Sequence, residues 1–199
     1  MKEIKIGNQI WMAENLNLET FRNGDQIPEA KTEEQWKEAA RNKQPACCYF
    51  GNNSSKGINY GRLYNWFALI DHRNIAPEGW RVASDGDWLE LITFAGGMEF
   101  AGSELKSKTY DWVDSGYGLD TFGFGARPGG SRFHDGTFSP FGWKTYFWSA
   151  TGDESDNYGA WSYGFDGLKI PGADFHKKVE KSFITKEWGM YVMLIKYEI

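Results

Sequence analysis

The residues best suited to acid–base or metal chemistry are scattered along the chain. The three histidines, His72, His134 and His176, lie far apart, and none has the His-Glu-x-x-His spacing of a helical zinc site. Asp85 and Asp87 stand at the predicted start of a helix, where backbone capping explains them. The Gly-x-Ser-x-Gly turn of serine hydrolases does not occur. These patterns predict a protein that is not an enzyme and needs no cofactor.

The two cysteines, Cys47 and Cys48, are adjacent in sequence. A disulfide between neighbours is strained, and the chain has no third cysteine to pair with either one. No histidine lies nearby, so the pair is also a poor zinc motif. We expect two free, half-buried thiols on one strand. Strand alternation places them on opposite faces, so one thiol should react faster than the other.

A calcium site is only weakly indicated. Asp153, Glu154 and Asp156 could offer carboxylate oxygens to Ca²⁺, but a solvated acidic loop is the favoured interpretation. The Glu-Pro-Asn, Gln-Pro-Asp and Trp-Asn-Asp triplets of calcium-dependent sugar-binding domains do not occur. Gly129 and Gly130 lack the spacing of a phosphate-binding loop and predict a turn. The flanking Arg127 and Arg132 are expected to pair with acids at the edge of the core.

Aromatic residues make up 17% of the chain and include 10 tryptophans, which suits either a tryptophan-rich core or a contact surface. Four tryptophans with apolar neighbours are expected in the core: Trp80, Trp88, Trp148 and Trp161. A second group in the C-terminal half forms the predicted ligand-binding site: Trp143, Tyr158, Tyr163, Asp166, His176 and Trp188. Exposed rings would supply contact area, while Asp166 and His176 would supply polar specificity. The alternative is that these aromatics cover the lower half of the core.

Charge and hydropathy limit the partners. The net charge of −5 and the pI of about 5.3 argue against nucleic acid, because phosphate binding needs a basic stripe. No stretch approaches the roughly 20 apolar residues of a membrane-spanning helix. The N-terminus lacks the apolar region of a signal peptide, which indicates either an intracellular protein or a chain whose leader has been removed.

The order of the predicted helices and strands, which would position these residues, is typical of a single α+β domain spanning residues 1–199. Alternation predicts an opening strand over 3–12, and helices follow at Thr32–Lys43 and at 85–95, capped by Thr32 and by Ser84 or Asp85. Residues 46–50 suggest a short strand, and 60–70 a helix or helical turn. Beyond residue 100, glycine-punctuated aromatic segments predict antiparallel strands joined by long loops. The first strand is expected to pair with the last, near 189–197.

Several motifs, taken in order, resemble the Fibrobacter succinogenes major paralogous domain. They are KIGNQIWMAENLN (5–17), YGRLYNWFA (60–68), APEGWRVASDGDWLEL (76–91), GFGARPGGSR (123–132), FWSAT (147–151) and GMYVMLIK (189–196). The resemblance implies a C-type-lectin-like fold, with helices flanking small antiparallel sheets. Its relatives include the formylglycine-generating enzymes and the variable proteins diversified by retroelements. The family pattern has a cysteine where Ala76 stands and another near the C-terminus, so a disulfide between those segments is not expected here.

The resemblance also implies a location and a class of function. Family members are typically surface or secreted proteins of Bacteroidetes and related bacteria, so we expect an extracellular or cell-surface protein, with a cytoplasmic one as the alternative. We interpret the chain as a calcium-independent binding module for a protein or glycan. Two alternatives remain: a metal- or redox-dependent enzyme of the formylglycine-generating type, and a structural module of a fimbrial tip or multidomain surface protein.

Overall fold

The computed structural model describes residues 2–153, 158–169 and 174–197. The helices are α1 (Glu33–Arg41), α2 (Gly57–Tyr60), α3 (Trp66–Leu69), α4 (Asp85–Phe94) and α5 (Ala101–Leu105). The strands are β1 (Glu3–Ile6), β2 (Gln9–Met12), β3 (Cys47–Cys48), β4 (Leu63–Tyr64), β5 (Trp80–Val82), β6 (Lys144–Gly152), β7 (Gly159–Asp166), β8 (Val179–Thr185) and β9 (Leu194–Lys196). Few helices and small antiparallel sheets confirm the α+β class.

One antiparallel sheet brings the two ends of the chain together, in the order β1-β2-β9-β5. Trp11 of β2 lies opposite Ile195 of β9, which confirms the predicted pairing of the first and last strands. The predicted single strand over 3–12 is instead a hairpin, because Gly7 turns the chain with a φ of +59°. Glycine adopts that left-handed conformation without steric cost.

A second sheet, β6-β7-β8, forms the framework of the C-terminal half. On one face, Phe147, Tyr163 and Phe165 enter the core that also contains Trp88. On the other face, Tyr146 of β6 is the cross-strand neighbour of Gly164 in β7, and Gly164 is the neighbour of Glu180 in β8. This second face holds the charged groups of the candidate site.

Side-chain caps fix the starts of both predicted helices. Thr32 accepts a hydrogen bond from the backbone N–H of Gln35, and Ser84 accepts one from that of Asp87, each completing a capping box. Burial opposes ionisation of Asp87, but hydrogen bonds from Arg81 and Ser84 outweigh it and lower the pKa of that carboxyl. The capping interpretation of Asp87 is therefore confirmed.

Three local expectations were wrong. Residues 60–70 do not form one helix, because Gly61 takes a φ of +73° and ends α2 before β4 begins; of the two alternatives only the helical turn is present, as α3. Helix α5 was not predicted; it forms where Gly102 packs closely against the carbonyl of Lys178. Arg132 does not pair with an acid. Its guanidinium is buried and donates to the backbone carbonyls of three residues, Ala30, Thr32 and Gly136.

The cysteines are free, as expected, but both are fully buried rather than half-buried. They point to opposite sides of β3, Cys47 into the core cluster containing Trp148 and Cys48 into the one containing Trp88. Desolvation by burial raises the pKa of Cys47 to about 11 and that of Cys48 to about 12. Both thiols are therefore protonated at neutral pH.

We accordingly expect neither thiol to react in the native protein with a water-soluble disulfide reagent at pH 8, because the nucleophile is the exposed thiolate. Both should react within minutes in 6 M guanidinium chloride. Rapid native labelling of one cysteine would show that β3 opens readily to solvent.

Candidate functional site

The predicted ligand-binding residues do not form one surface, and Tyr163 was assigned wrongly. It is buried on the inward face of β7, where its ring stacks on that of Trp88 with centroids 5.1 Å apart. Its hydroxyl donates to Oδ1 of Asp85 over 2.7 Å. Asp85 also pairs with the ammonium of Lys181, so it links α4 to the sheet. Tyr163 is a core residue and cannot anchor a ligand.

Tyr158 and Trp188 lie away from the other candidates. Tyr158 is 66% exposed, but it directly precedes Gly159, the first residue of β7. Asp166 is the last residue of the same strand, so the two stand at opposite ends. Seven residue steps along a strand separate those ends by about 23 Å. Trp188 is partly buried, with its ring edge-on to Phe133 at 4.7 Å and to Tyr146 at 6.4 Å. Much of its ring is therefore used by contacts within the chain.

Asp166 lies at one end of the second sheet, and Trp143 and His176 are the chain neighbours of two residues found at the same end, Lys144 and Phe175. There, Lys144, Asp166, Phe175 and Glu180 help to line a cleft of about 430 Å³, here called the sheet-end cleft. Trp143 precedes Lys144 and is 43% exposed, and its carbonyl accepts a hydrogen bond from the N–H of Gly167.

A charged network crosses the cleft. The ammonium of Lys144 lies 3.0 Å from Oδ2 of Asp166 and 3.7 Å from Oε2 of Glu180. Burial alone would lower the pKa of Lys144, but the hydrogen bond with Asp166 outweighs it and raises that pKa. Lys144 is therefore a cation at neutral pH, held between Asp166 and Glu180.

The cleft has a narrow floor and an apolar wall. A side chain at Gly164 would come within 2.8 Å of the Tyr146 ring, so glycine leaves the sheet surface open beside that ring. Phe175, in a short 3₁₀ turn, is 51% exposed and supplies the wall. Lys178 adds a positive charge, paired with Glu99 at 2.5 Å. The arrangement offers apolar and ionic contacts to one ligand.

His176 is not among the residues that line the cleft. Its Nδ1 atom is buried and has no hydrogen-bond partner within the described ranges. Burial, together with the positive charges of Lys106 and Lys169, lowers the pKa of the imidazole. The ring is therefore neutral at pH 7 and contributes no charge to the site.

Lys106 is a buried cation that the sequence pattern did not single out. Its ammonium donates to the carbonyls of Gly116 and, over 2.7 Å, Asp166, and it lies 4.8 Å from the centre of the Trp112 ring. It thereby ties the loop around Gly116 to the end of β7. Burial lowers the pKa of Lys106 from 10.5 to about 7.

The low pKa of Lys106 predicts a pH dependence of stability. Between about pH 7 and 10.5 the unfolded chain binds this proton and the folded protein does not, so the free energy of unfolding should rise with pH. Compared with Lys106→Met, wild type should gain up to about 1 kcal/mol per pH unit between pH 7 and 9. Urea unfolding of both proteins measures this; a pH-independent difference would contradict the assignment.

The weak calcium candidate lies mostly outside the described residues, which include Asp153 but not Glu154 or Asp156. The backbone carbonyl of Asp153 accepts a hydrogen bond from Lys186 over 3.0 Å. Over residues 2–153, 158–169 and 174–197, no three His, Cys, Asp or Glu side chains are grouped so as to hold a metal ion.

These features define an α+β domain with an open, charged and aromatic cleft at a sheet end. Comparison with family profiles matches residues 4–196 to the Fibrobacter succinogenes major domain, and the chain belongs to that family. Comparisons with curated proteins and with solved structures return no match. Among the described residues, no helix combines the length and hydropathy needed to cross a membrane.

Proposed function

We propose that the chain is a non-catalytic, C-type-lectin-like binding domain of a bacterial surface or secreted protein, and that it recognises a protein or glycan through the sheet-end cleft. The observation that carries this proposal is the meeting of exposed Phe175 with the Lys144–Asp166–Glu180 network at one end of a regular sheet, where exposed Trp143 directly precedes Lys144 in the chain. Concave sites that combine apolar walls with a few oriented polar groups are typical ligand sites.

The surroundings of the cleft favour binding over a structural role. Trp143 and Phe175 each leave about half of the side chain open to water, although burying them would be favourable. The charged groups stand on paired strands, which hold them in place before a ligand arrives. A preorganised site loses less conformational entropy when it binds.

The C-type-lectin-like assignment rests on topology. Pairing of β2 with β9 brings the ends of the chain into one sheet, and α1 and α4 accompany small antiparallel sheets joined by long irregular loops. The family assignment fits the same fold and a location at the cell surface.

The alternative of a formylglycine-generating-type enzyme needs a reactive cysteine. Cys47 and Cys48 are buried on opposite faces of β3, with pKa values raised to about 11 and 12. Neither thiol faces the sheet-end cleft, whose lining contains no cysteine. This geometry favours recognition over thiol-based catalysis.

The proposal is tested by probing immobilised glycans and proteins with the whole chain, in parallel with a Trp143→Ala/Phe175→Ala variant and a Tyr158→Ala control. We expect ligands that wild type and the control retain, that the double variant loses, and that persist in a calcium chelator. Binding that the double variant keeps would place the site elsewhere. Loss of binding on chelation would instead favour the acidic loop that begins at Asp153.

A further inference from the structure

A second concavity lies outside the sheet-end cleft and shares no lining residue with it. This polar groove, about 510 Å³ in volume, is formed by residues 13–17, 57–61, 107–109 and 120–127, with Lys2 at its edge. Its volume falls within the range of small-molecule sites. Unlike the core below it, the groove is lined mainly by amide, hydroxyl and charged side chains.

Arg127 stands out in this groove. The other six arginines each donate hydrogen bonds to a carboxylate or to backbone carbonyls. In the part of the chain that the structure describes, the Arg127 side chain makes neither a hydrogen bond nor an ion pair, although it is partly buried. A partly desolvated guanidinium without a carboxylate is suited to an incoming anion, which its planar fork can bind through two parallel hydrogen bonds.

The charges around Arg127 point to a singly charged ligand. Lys2 and Lys108 line the same groove and form no ion pair within the described residues, so the local field favours an anion. Glu14 and Asp120 also line it, so three cations face two acids and leave one formal positive charge, which a single carboxylate balances and a doubly charged phosphate exceeds. A carboxylate is therefore the better match.

The rest of the lining is matched to sugar hydroxyls. The side-chain N–H of Asn15 donates to the carbonyl of Tyr60 over 2.8 Å, which fixes the amide while its oxygen faces no partner among the described residues. Asn59 adds a further amide. The hydroxyl of Thr109 donates to Asp111 and lies 2.7 Å from that of Ser107, so its oxygen is held in place as an acceptor.

We propose that the polar groove binds an acidic saccharide, with the carboxylate on Arg127 and the ring hydroxyls on the amide and hydroxyl side chains around Asn15, Asn59 and Thr109. This site is additional to the sheet-end cleft. The whole domain would then contact two ligands, or two parts of one ligand, through separate surfaces.

Nuclear magnetic resonance titration of the ¹⁵N-labelled chain tests the assignment. The probes are glucuronate, galacturonate and N-acetylneuraminate, with glucose and galactose as neutral controls. At least one acidic sugar should shift the Arg127 side-chain signal and the amide signals of Asn15, Asn59 and Lys108. The neutral sugars should bind at least tenfold more weakly, and signals at Lys144 and Asp166 should not move.

Variants separate this site from the sheet-end cleft. Arg127→Gln should weaken binding of the acidic sugar at least tenfold, and Arg127→Lys, which keeps the charge without the fork, should weaken it less. Arg41→Gln, at an exposed arginine paired with Glu34, and Trp143→Ala/Phe175→Ala should bind as wild type does. The proposal is overturned if none of the three acidic sugars shifts the groove signals at 10 mM, or if both Arg127 variants bind like wild type.

Discussion

Replacing Trp88 by alanine is expected to lower the free energy of unfolding by about 4 kcal/mol, because large aromatic residues removed from a core leave a cavity. Trp88 is fully buried at the junction of α4 and both larger sheets. Its ring lies within 5.8 Å, centroid to centroid, of four other rings: Trp11, Phe124, Phe147 and Tyr163. Deletion therefore removes contacts to each of the elements that carry those rings.

Chemical denaturation of wild type and Trp88→Ala measures this loss. Trp143→Ala is the matched control, since that tryptophan is 43% exposed and should cost less than about 1 kcal/mol. Similar losses in the two variants would mean that the ring cluster around Trp88 does not form the centre of the core.

Replacing Arg132 by methionine is expected to cost about 3–5 kcal/mol. The guanidinium is buried and donates to the carbonyls of Ala30, Thr32 and Gly136 over 2.8–2.9 Å. Methionine keeps much of the volume but leaves the carbonyls of Ala30 and Gly136 without a donor, whereas that of Thr32 still accepts from the N–H of Trp36. Each buried unsatisfied group costs about 1–3 kcal/mol. The guanidinium also lies over the Trp36 ring at 4.7 Å, a contact that methionine replaces only in part.

The matched control for Arg132→Met is Arg41→Met. Arg41 pairs with Glu34 at 3.1 Å on the surface, where ion pairs contribute about 0–1 kcal/mol. Thermal and urea unfolding should therefore separate the two variants clearly. An Arg132→Met protein as stable as Arg41→Met would show that water or a local rearrangement satisfies the carbonyls of Ala30 and Gly136.

The features predictable from sequence were those encoded locally. Thr32 and Ser84 directly precede the helical segments α1 and α4, and the hydroxyl of each caps its helix by accepting a hydrogen bond from a free backbone N–H. Trp80 and Trp88 stand among apolar neighbours and are buried. Pairing of the first and last strands followed from the family motifs at both ends. Apart from that pairing, which joins the two ends of the chain, each of these signals lies within about ten residues of the element it specifies.

The burial of Tyr163 also has a local signal in the sequence, namely the alternation of large and small residues along β7. In β7, Trp161, Tyr163 and Phe165 alternate with alanine, serine and glycine, a pattern typical of a strand with one large apolar face turned inward. The clustering of aromatics favoured exposure, whereas their spacing indicates burial, which holds for Tyr163 and Phe165. Trp161, expected in the core, is only partly buried and packs against the exposed ring of Phe183.

The buried cations and both cavities depend on contacts distant in sequence. Arg132 reaches carbonyls about a hundred residues away, at Ala30 and Thr32. Lys106 meets Asp166, 60 residues along the chain. No spacing rule reveals such partners, because they come together only when the loops pack. The same holds for the sheet-end cleft, which joins the start of β6 to the 3₁₀ turn at Phe175.

The affinity of Trp143→Ala for the strongest ligand found by array tests the proposed binding site most directly. Isothermal titration calorimetry of wild type, Trp143→Ala and Tyr158→Ala compares the two ends of the second sheet, using exposed aromatics whose loss should leave the fold intact. We predict at least tenfold weaker binding, about 1.4 kcal/mol, for Trp143→Ala and an unchanged Kd for Tyr158→Ala. An unchanged Kd for Trp143→Ala together with weaker binding by Tyr158→Ala would contradict it.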